Sequence, residues 1–252
     1  MAEPGRATID HVGLRVSELD AALAGYEAVA VALGHAPFTG DDAFRWIEEL
    51  TLSPVDDAHP ATTGAHVGLG AASREAVDAA WEAGRAAGLQ DDGPPGERDY
   101  VPGYYGAFLR DADGNSLEAV HHEAVRPPRA GVVDHVWVRV ADLARTRVPW
   151  AAAAAAVGAA LDDRPGRLRL WRGPGSGSVH AVRGTPTRGL HFALTAADRA
   201  TVDRFHAATT AAGATDDGAP GLRPVYHPGY YGAFVRDPDG TSLEAVHHAP
   251  RA

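Results

Sequence analysis

Residues 103–122 read GYYGAFLRDADGNSLEAVHH, and residues 229–248 read GYYGAFVRDPDGTSLEAVHH. The two stretches match at 17 of 20 positions, differing only at Leu109/Val235, Ala112/Pro238 and Asn115/Thr241, so the chain is an internal repeat before it is anything else. Each copy carries an aromatic run, Tyr105 to Arg110 in the first, that reads as a strand and ends in a D-x-D-G turn. Asp113-Gly114 and Asp239-Gly240 are hairpin signals between two β-rich segments. On the returning strand alternation puts Glu118, Val120 and His122 on one face and Leu117, Ala119 and His121 on the other. A carboxylate among apolar neighbours at mid-strand is costly to bury unless a cation meets it.

Working outward, the same units recur. Thr8 to Val16 (TIDHVGLRV) alternates as a strand, and Ser17 with Asp20 reads as a capping box opening an Ala/Leu-rich helix that Gly34 closes. A looser β-region includes residues 44–52. A second unit starts at Ala65-His66-Val67-Gly68-Leu69-Gly70, with Ser73 as helix cap and Gly88 as stop, and residues 91–99 read as a Gly/Pro/Asp loop before the hairpin. Residues 123–131 (EAVRPPRAG) read as a linker. The pattern then restarts at Val132 to Val140 (VVDHVWVRV). Its next helix is placed over Trp150–Ala160, with Pro149 in its first turn. Residues 189–194 (GLHFAL) open the last unit, with Thr195 and Asp198 as its capping box. The expected organisation is two domains, 1–122 and 132–252, of four strand–helix–strands units in an α+β fold.

With 252 residues, 45% hydrophobic and 22% charged, the chain can bury a real core. No apolar run approaches the roughly 18 residues of a membrane span. The start, MAEPGRATIDHV, lacks a basic segment followed by an apolar one, so the expected location is the cytoplasm and no membrane partner is implied. A net charge of −10 disfavours nucleic acid as a partner, and the 23 positive residues, all arginine, form no stripe. With no cysteine, disulfides and thiolate ligands are excluded.

Histidines answer the buried carboxylates. His11 and His66 open the first strands of the first two units, as His135 and His191 do in the second half. The separations from His11 to His66 and from His66 to Glu118 are 55 and 52 residues, against 56 and 53 for His135, His191 and Glu244. If the units curl together, two imidazoles and one carboxylate meet inside a half-barrel. That is a 2-His-1-carboxylate set with coordination positions left open. The expected cofactor is a divalent metal ion, iron(II) first, with manganese, zinc or nickel as alternatives. A small-molecule substrate with two adjacent oxygens would suit it.

The chain resembles the vicinal oxygen chelate superfamily, which includes glyoxalase I, fosfomycin- and bleomycin-resistance proteins and extradiol dioxygenases. DHVGLRV (10–16), AHVGLG (65–70) and GAFLRDADGNSLEAV (106–120), with DHVWVRV, GLHFAL and GAFVRDPDGTSLEAV in the second half, carry the likeness. The resemblance implies paired βαβββ modules forming half-barrel metal cavities, with ligands His11, His66, Glu118 and His135, His191, Glu244. Whether each site lies within one half or is exchanged between halves is left open by the sequence, as is a monomer (a pseudo-dimer) against a homodimer. Members such as glyoxalase I add a fourth, acidic ligand, for which only Glu48 or Glu49 offers itself in the first half and only His180 in the second. Three ligands fit the dioxygenase-like and fosfomycin-resistance-like branches better than glyoxalase I, so the expected function is a metal-dependent enzyme, dioxygenase-like or a lyase or isomerase; the alternative is a metal-free drug-binding protein of the bleomycin-resistance kind. Tyr105 and Tyr231 are candidate catalytic groups. Arg15, Arg139, Trp137, His122 and His248 are candidate substrate contacts. Gly13 leaves room beside His11 where Trp137 fills the matching place beside His135, so the two sites need not be equivalent.

Overall fold

A computed structural model of the chain describes residues 7–123 and 131–249. Four modules follow one another. The first comprises β1 (Ile9–Val16), α1 (Leu19–Ala32), β2 (Thr39–Gly40), β3 (Arg45–Ile47) and β4 (Leu50–Pro54); the second β5 (His66–Gly70), α2 (Arg74–Ala86), β6 (Gln90–Glu97), β7 (Tyr104–Arg110) and β8 (Ser116–His122). The third has β9 (Val133–Val140), α3 (Leu143–Val157), β10 (Ala160–Arg164), β11 (Arg167–Trp171) and β12 (Ser178–Arg183). The fourth has β13 (His191–Thr195), α4 (Arg199–Ala211), β14 (Thr215–Leu222), β15 (Tyr230–Arg236) and β16 (Ser242–His248). The α+β class and the four-module plan are those expected. Residues 124–130 of the expected linker lie outside the described residues.

The sheets do not respect the halves. One eight-stranded sheet runs β14-β15-β16-β13-β1-β4-β3-β2, joining the fourth module to the first; the other runs β10-β11-β12-β9-β5-β8-β7-β6, joining the third to the second. The seams are antiparallel: β1 pairs with β13, and β5 with β9. The helices do the opposite, α1 packing on α2 and α3 on α4. Residues 1–122 and 132–252 are thus repeats in sequence, each with its own helix pair, but neither builds a sheet alone. Strand edges made of repeated sequence offer the same hydrogen-bonding row to either partner, so only the tertiary structure selects one.

Alternation separates two faces. Val12, Leu14 and Val16 of β1 and Leu50 and Leu52 of β4 are wholly buried in the core, as are Leu168 and Leu170 of β11. The opposite, concave face carries the polar residues described below. Several local expectations change. Ser17 does not cap α1; its N–H and hydroxyl donate to Asp113, and α1 starts behind Glu18 without a side-chain cap. Helix α3 starts at Leu143 behind Asp142, whose carboxylate accepts from Ala144 and Arg145, so Pro149 sits inside the helix rather than in its first turn. Asp198 alone caps α4, Thr195 being part of β13. Residues 91–99 are largely strand: β6 pairs with β7 at the sheet's edge through two irregularities, where proline's missing donor is tolerated. Ser73 caps α2 as expected, 3.2 Å from the Ala76 N–H.

Glu48 and Glu49 are absorbed by structure. Glu48 bonds His35 at 2.9 Å, while the Glu49 carboxylate accepts the Val132 N–H at 2.8 Å and tethers the first module to the start of β9. Burial pushes Glu49 from 4.5 up to about 7, outweighing the amides of Val132 and Val133 that favour its charge. A carboxyl raised in this way favours folding while it is protonated, below its unfolded value, and that contribution is lost as pH rises through about 7. Compared with Glu49→Gln, the native chain should lose at most about 3 kcal/mol between acidic and neutral pH, read as diverging urea midpoints.

Candidate metal centres

Pairing across the seam brings three ligand-type side chains together in each cavity. They are His11 of β1 with His191 of β13 and Glu244 of β16, and His135 of β9 with His66 of β5 and Glu118 of β8, the atoms of each set within 4.8 Å of one another. Of the two arrangements the sequence left open, sites within one half or exchanged between halves, the structure has the exchanged one: each half lends one histidine to the other half's histidine–glutamate pair. The reason is the seam, since β5 and β13 carry His66 and His191 in register with β8 and β16 of their own modules but pair outward with β9 and β1.

In the second-and-third-module cavity the Nε2 atoms of His66 and His135 are 3.1 Å apart, and Glu118 Oε2 lies 3.0 and 3.2 Å from them. In the other cavity the His11 and His191 Nε2 atoms are also 3.1 Å apart, with Glu244 Oε2 at 3.5 and 3.3 Å. Ligands about 2.1 Å from one ion and at right angles to each other stand about 3 Å apart, so both triangles are the size a divalent ion requires. Glu244 is fully buried, and among the described residues its Oε2 meets no polar group closer than the two imidazole nitrogens, neither at hydrogen-bond geometry. A buried carboxylate oxygen whose neighbours are two imidazole nitrogens fits a cation between them better than it fits a polar core.

Neighbours fix each ligand. His66 and His191 present Nδ1 to the hydroxyls of Ser116 and Ser242 at 3.0 and 2.9 Å. His11 and His135 donate from Nδ1 to Asp10 at 2.9 Å and Asp134 at 2.6 Å, leaving Nε2 toward the cavity. Adjacent residues normally point to opposite faces. Here the register shifts between Ile9 and His11, and again beside His135, and these bulges turn each aspartate toward its neighbouring histidine. The Glu118 and Glu244 Oε1 atoms accept the Tyr104 and Tyr230 hydroxyls at 2.6 and 2.7 Å. Space for the carboxylates comes from Gly106 and Gly232, where a Cβ would lie 2.6 and 2.3 Å from those oxygens.

In the metal-free state each triad holds charge. Burial opposes it, but hydrogen bonds from His135 and His66 hold Glu118 at about 2, and the nearby imidazoles of His11 and His191 leave Glu244 below its usual range. Burial likewise opposes protonation of His135 and His11, yet Asp134 with Glu118, and Asp10 with Glu244, raise them to about 10 and about 9. His66 and His191 are lowered, by burial first and by the neighbouring imidazolium after it. Burial and the adjacent carboxylate push Tyr104 and Tyr230 far above the phenol range, so both stay neutral donors.

The other candidates fall elsewhere. Tyr105 and Tyr231 lie on the helix side, their hydroxyls donating to Asp78 and Asp203 at 2.8 Å each, and neither faces a triad. Their neighbours Tyr104 and Tyr230 do. The hairpin register pairs Phe108 with Glu118 and Tyr104 with His122, so even-numbered residues share the glutamate's face. That parity was readable from the turn, and applying it to β7 would have selected Tyr104. His122 and His248 stand outside the triads, bonding Asp134 and Asp10 at 3.3 and 3.1 Å and meeting the Tyr104 and Tyr230 rings edge-on. Arg15 bonds Pro54 and Asp56, and Arg139 bonds the Gly64 carbonyl, both along the rim. Trp137 stacks on His180 with centroids 4.3 Å apart and meets His135 edge-on at 6.4 Å. The β4 and β12 positions facing the triads are Thr51 and His180, not acids. Replacing Tyr104 or Tyr230 by phenylalanine should weaken metal binding at that cavity by about 10–100-fold, measured by competition with a chromogenic chelator.

Four βαβββ modules closing two cavities, each with a 2-His-1-carboxylate constellation, make up the chain's architecture. Residues 8–119 match the model of the Glyoxalase/Bleomycin resistance protein/Dioxygenase superfamily. Glyoxalase I from Zea mays is similar in structure over 95% of this chain and 92% of its own, at 19% identity and a TM-score of 0.67. A putative dioxygenase from Bacillus subtilis subsp. subtilis str. 168 is similar over 98% of this chain and 87% of its own, at 14% identity and a TM-score of 0.63. At these identities the likeness speaks to the fold. A glyoxalase/bleomycin resistance protein from Albidiferax ferrireducens T118 is 33% identical over 45% of this chain and 98% of its own, with a TM-score of 0.41. No curated protein matches the chain in sequence. Among the described residues no helix is long and apolar enough to cross a membrane.

Proposed function

We propose that both triads hold a divalent metal ion and that the protein is a metal-dependent enzyme acting on a small molecule with two adjacent oxygens. Iron(II) and dioxygenase-type chemistry are the leading assignment, ahead of a lyase or isomerase reaction. The observation that carries this reading is the buried Glu244 Oε2, whose nearest polar neighbours among the described residues are two imidazole nitrogens with their other ring atoms already committed to Asp10 and Ser242. The absence of an acid at Thr51 and His180, with Glu48 and Glu49 engaged elsewhere, supports three protein ligands and open positions rather than a fourth carboxylate.

When bound, the ion supplies Lewis acidity to the substrate oxygens and, as iron(II), a redox centre for dioxygen. The residues of the chain do the rest. Asp10 and Asp134 hold the imidazoles in one orientation, and Tyr104 and Tyr230 hold one carboxylate oxygen so that the other faces the cavity. One triad's glutamate leaves about one net positive charge on a divalent ion, which favours a substrate that loses a proton on binding. Loading with iron(II) under anaerobic conditions should give up to two ions per chain, one for each triad. Oxygen uptake on adding catechols would then support the oxygenase assignment. Loading without uptake would move the assignment to lyase or isomerase, and failure to load iron, manganese, zinc or nickel would overturn the metal reading itself.

A further inference from the structure

The two cavities share their triads but not their rims. In one, Gly13 pairs with Thr51 and Thr51 with Trp46; in the other, Trp137 pairs with His180 and His180 with Arg169. Two residues before Trp46 stands Phe44, and two before Arg169 stands Arg167. An aromatic rim, with Phe44 39% and Trp46 44% exposed, therefore corresponds to an arginine rim across the molecule.

That arginine rim is not neutralised from within. Arg169 is paired with Asp162 at 2.7 Å, and Asp134 is engaged by His135 and His122. Among the described residues the Arg139 guanidinium reaches a carbonyl, that of Gly64, and no carboxylate. Arg167 has neither an ion pair nor a side-chain hydrogen bond among the described residues; its guanidinium lies 5.8 Å from the centre of the Trp137 ring. Beside it His180, only 7% exposed, shares a hydrogen bond between Nε2 and the Ser178 hydroxyl and leaves Nδ1 buried without a partner among the described residues. A flat indole, an imidazole with an unused atom and two cations without carboxylates surround the approach to His66, Glu118 and His135.

We propose that this cavity takes a small organic anion, with its chelating oxygens toward the triad, a flat body beside Trp137 and a carboxylate on Arg167. The inference rests on the metal reading above. An unpaired guanidinium is the natural partner of a carboxylate, which it can meet through two parallel hydrogen bonds.

Calorimetric titration of the manganese-loaded chain with 3,4-dihydroxybenzoate and with catechol tests this, using the native protein, Arg167→Gln, and Glu244→Gln to silence the other cavity. Bound manganese is counted in each. Arg167→Gln should weaken the acid about tenfold and shift catechol by less than about twofold, while Glu244→Gln leaves the acid's tight site intact. Equal affinity for the acid in native and Arg167→Gln protein, with manganese retained, would overturn the proposal. Should the chain take no manganese, the metal reading fails, and sodium benzoate titrated into metal-free protein decides the anion pocket. A tenfold dependence on Arg167 would uphold it, and none would end it.

Discussion

A chain carrying His11→Ala together with Glu244→Gln is expected to keep one metal ion, whereas His11→Ala together with Glu118→Gln is expected to keep none. The first pair of substitutions strikes a single triad, because His11 and Glu244 face the same cavity across the β1–β13 seam; the second strikes both. Were the triads built within halves, the outcomes would be reversed. Loss of a direct ligand should exceed the roughly 10–100-fold cost of losing a hydrogen-bonding neighbour, so metal analysis after dialysis against micromolar manganese separates the cases. The comparison is internal: both double variants share His11→Ala, and any general loss of stability from that change cancels.

Gly232→Val should empty one cavity and spare the other. A Cβ at this position would lie 2.3 Å from Glu244 Oε1 and 3.0 Å from the Tyr230 ring. The carboxylate cannot move aside cheaply, being fully buried and held by the Tyr230 hydroxyl at 2.7 Å. Either Glu244 leaves the triad or the strands part, and overpacking of this kind costs about 1–3 kcal/mol. The expected result is one ion per chain in place of two, with a lowered urea midpoint. Two retained ions at native stability would show that the glycine does not make the carboxylate's room. Gly106→Val is the matching change, with 2.6 Å to Glu118 Oε1, and should empty the other site.

The exchange of histidines also bears on how the two cavities can differ. Each site draws a β12- or β4-side wall from one half and a hairpin from the other, so the nearly identical hairpins supply the same glutamate and tyrosine to both. The divergent first and third modules supply the rims. Gly13, Thr51 and Trp46 against Trp137, His180 and Arg169 is therefore a difference in the variable walls around a constant chelating core.

Much of this was legible in the residues alone. The repeat, the period-two alternation of TIDHVGLRV and the returning strand, and the hairpin turns fix four strand–helix–strands units and say which side chains share a face. They also nominate the six ligand-type residues, because a buried carboxylate between apolar neighbours demands a partner. Tyr104 lay within reach of the same parity argument. Asp10 and Asp134 did not, since a bulge reverses the alternation and leaves no mark in composition. The capping reading at Ser17 failed because a distant carboxylate, that of Asp113, outcompetes the local one.

What only the tertiary structure decided is which histidine meets which glutamate. Glu118 and Glu244 sit in segments so alike that no local interaction distinguishes their partners. Strand pairing uses backbone groups every residue possesses, so β1 could in principle seat beside β5 or β13. The choice belongs to contacts far apart in the chain, the helix pairs within each half and the seams between halves, and these depend on the whole assembled molecule.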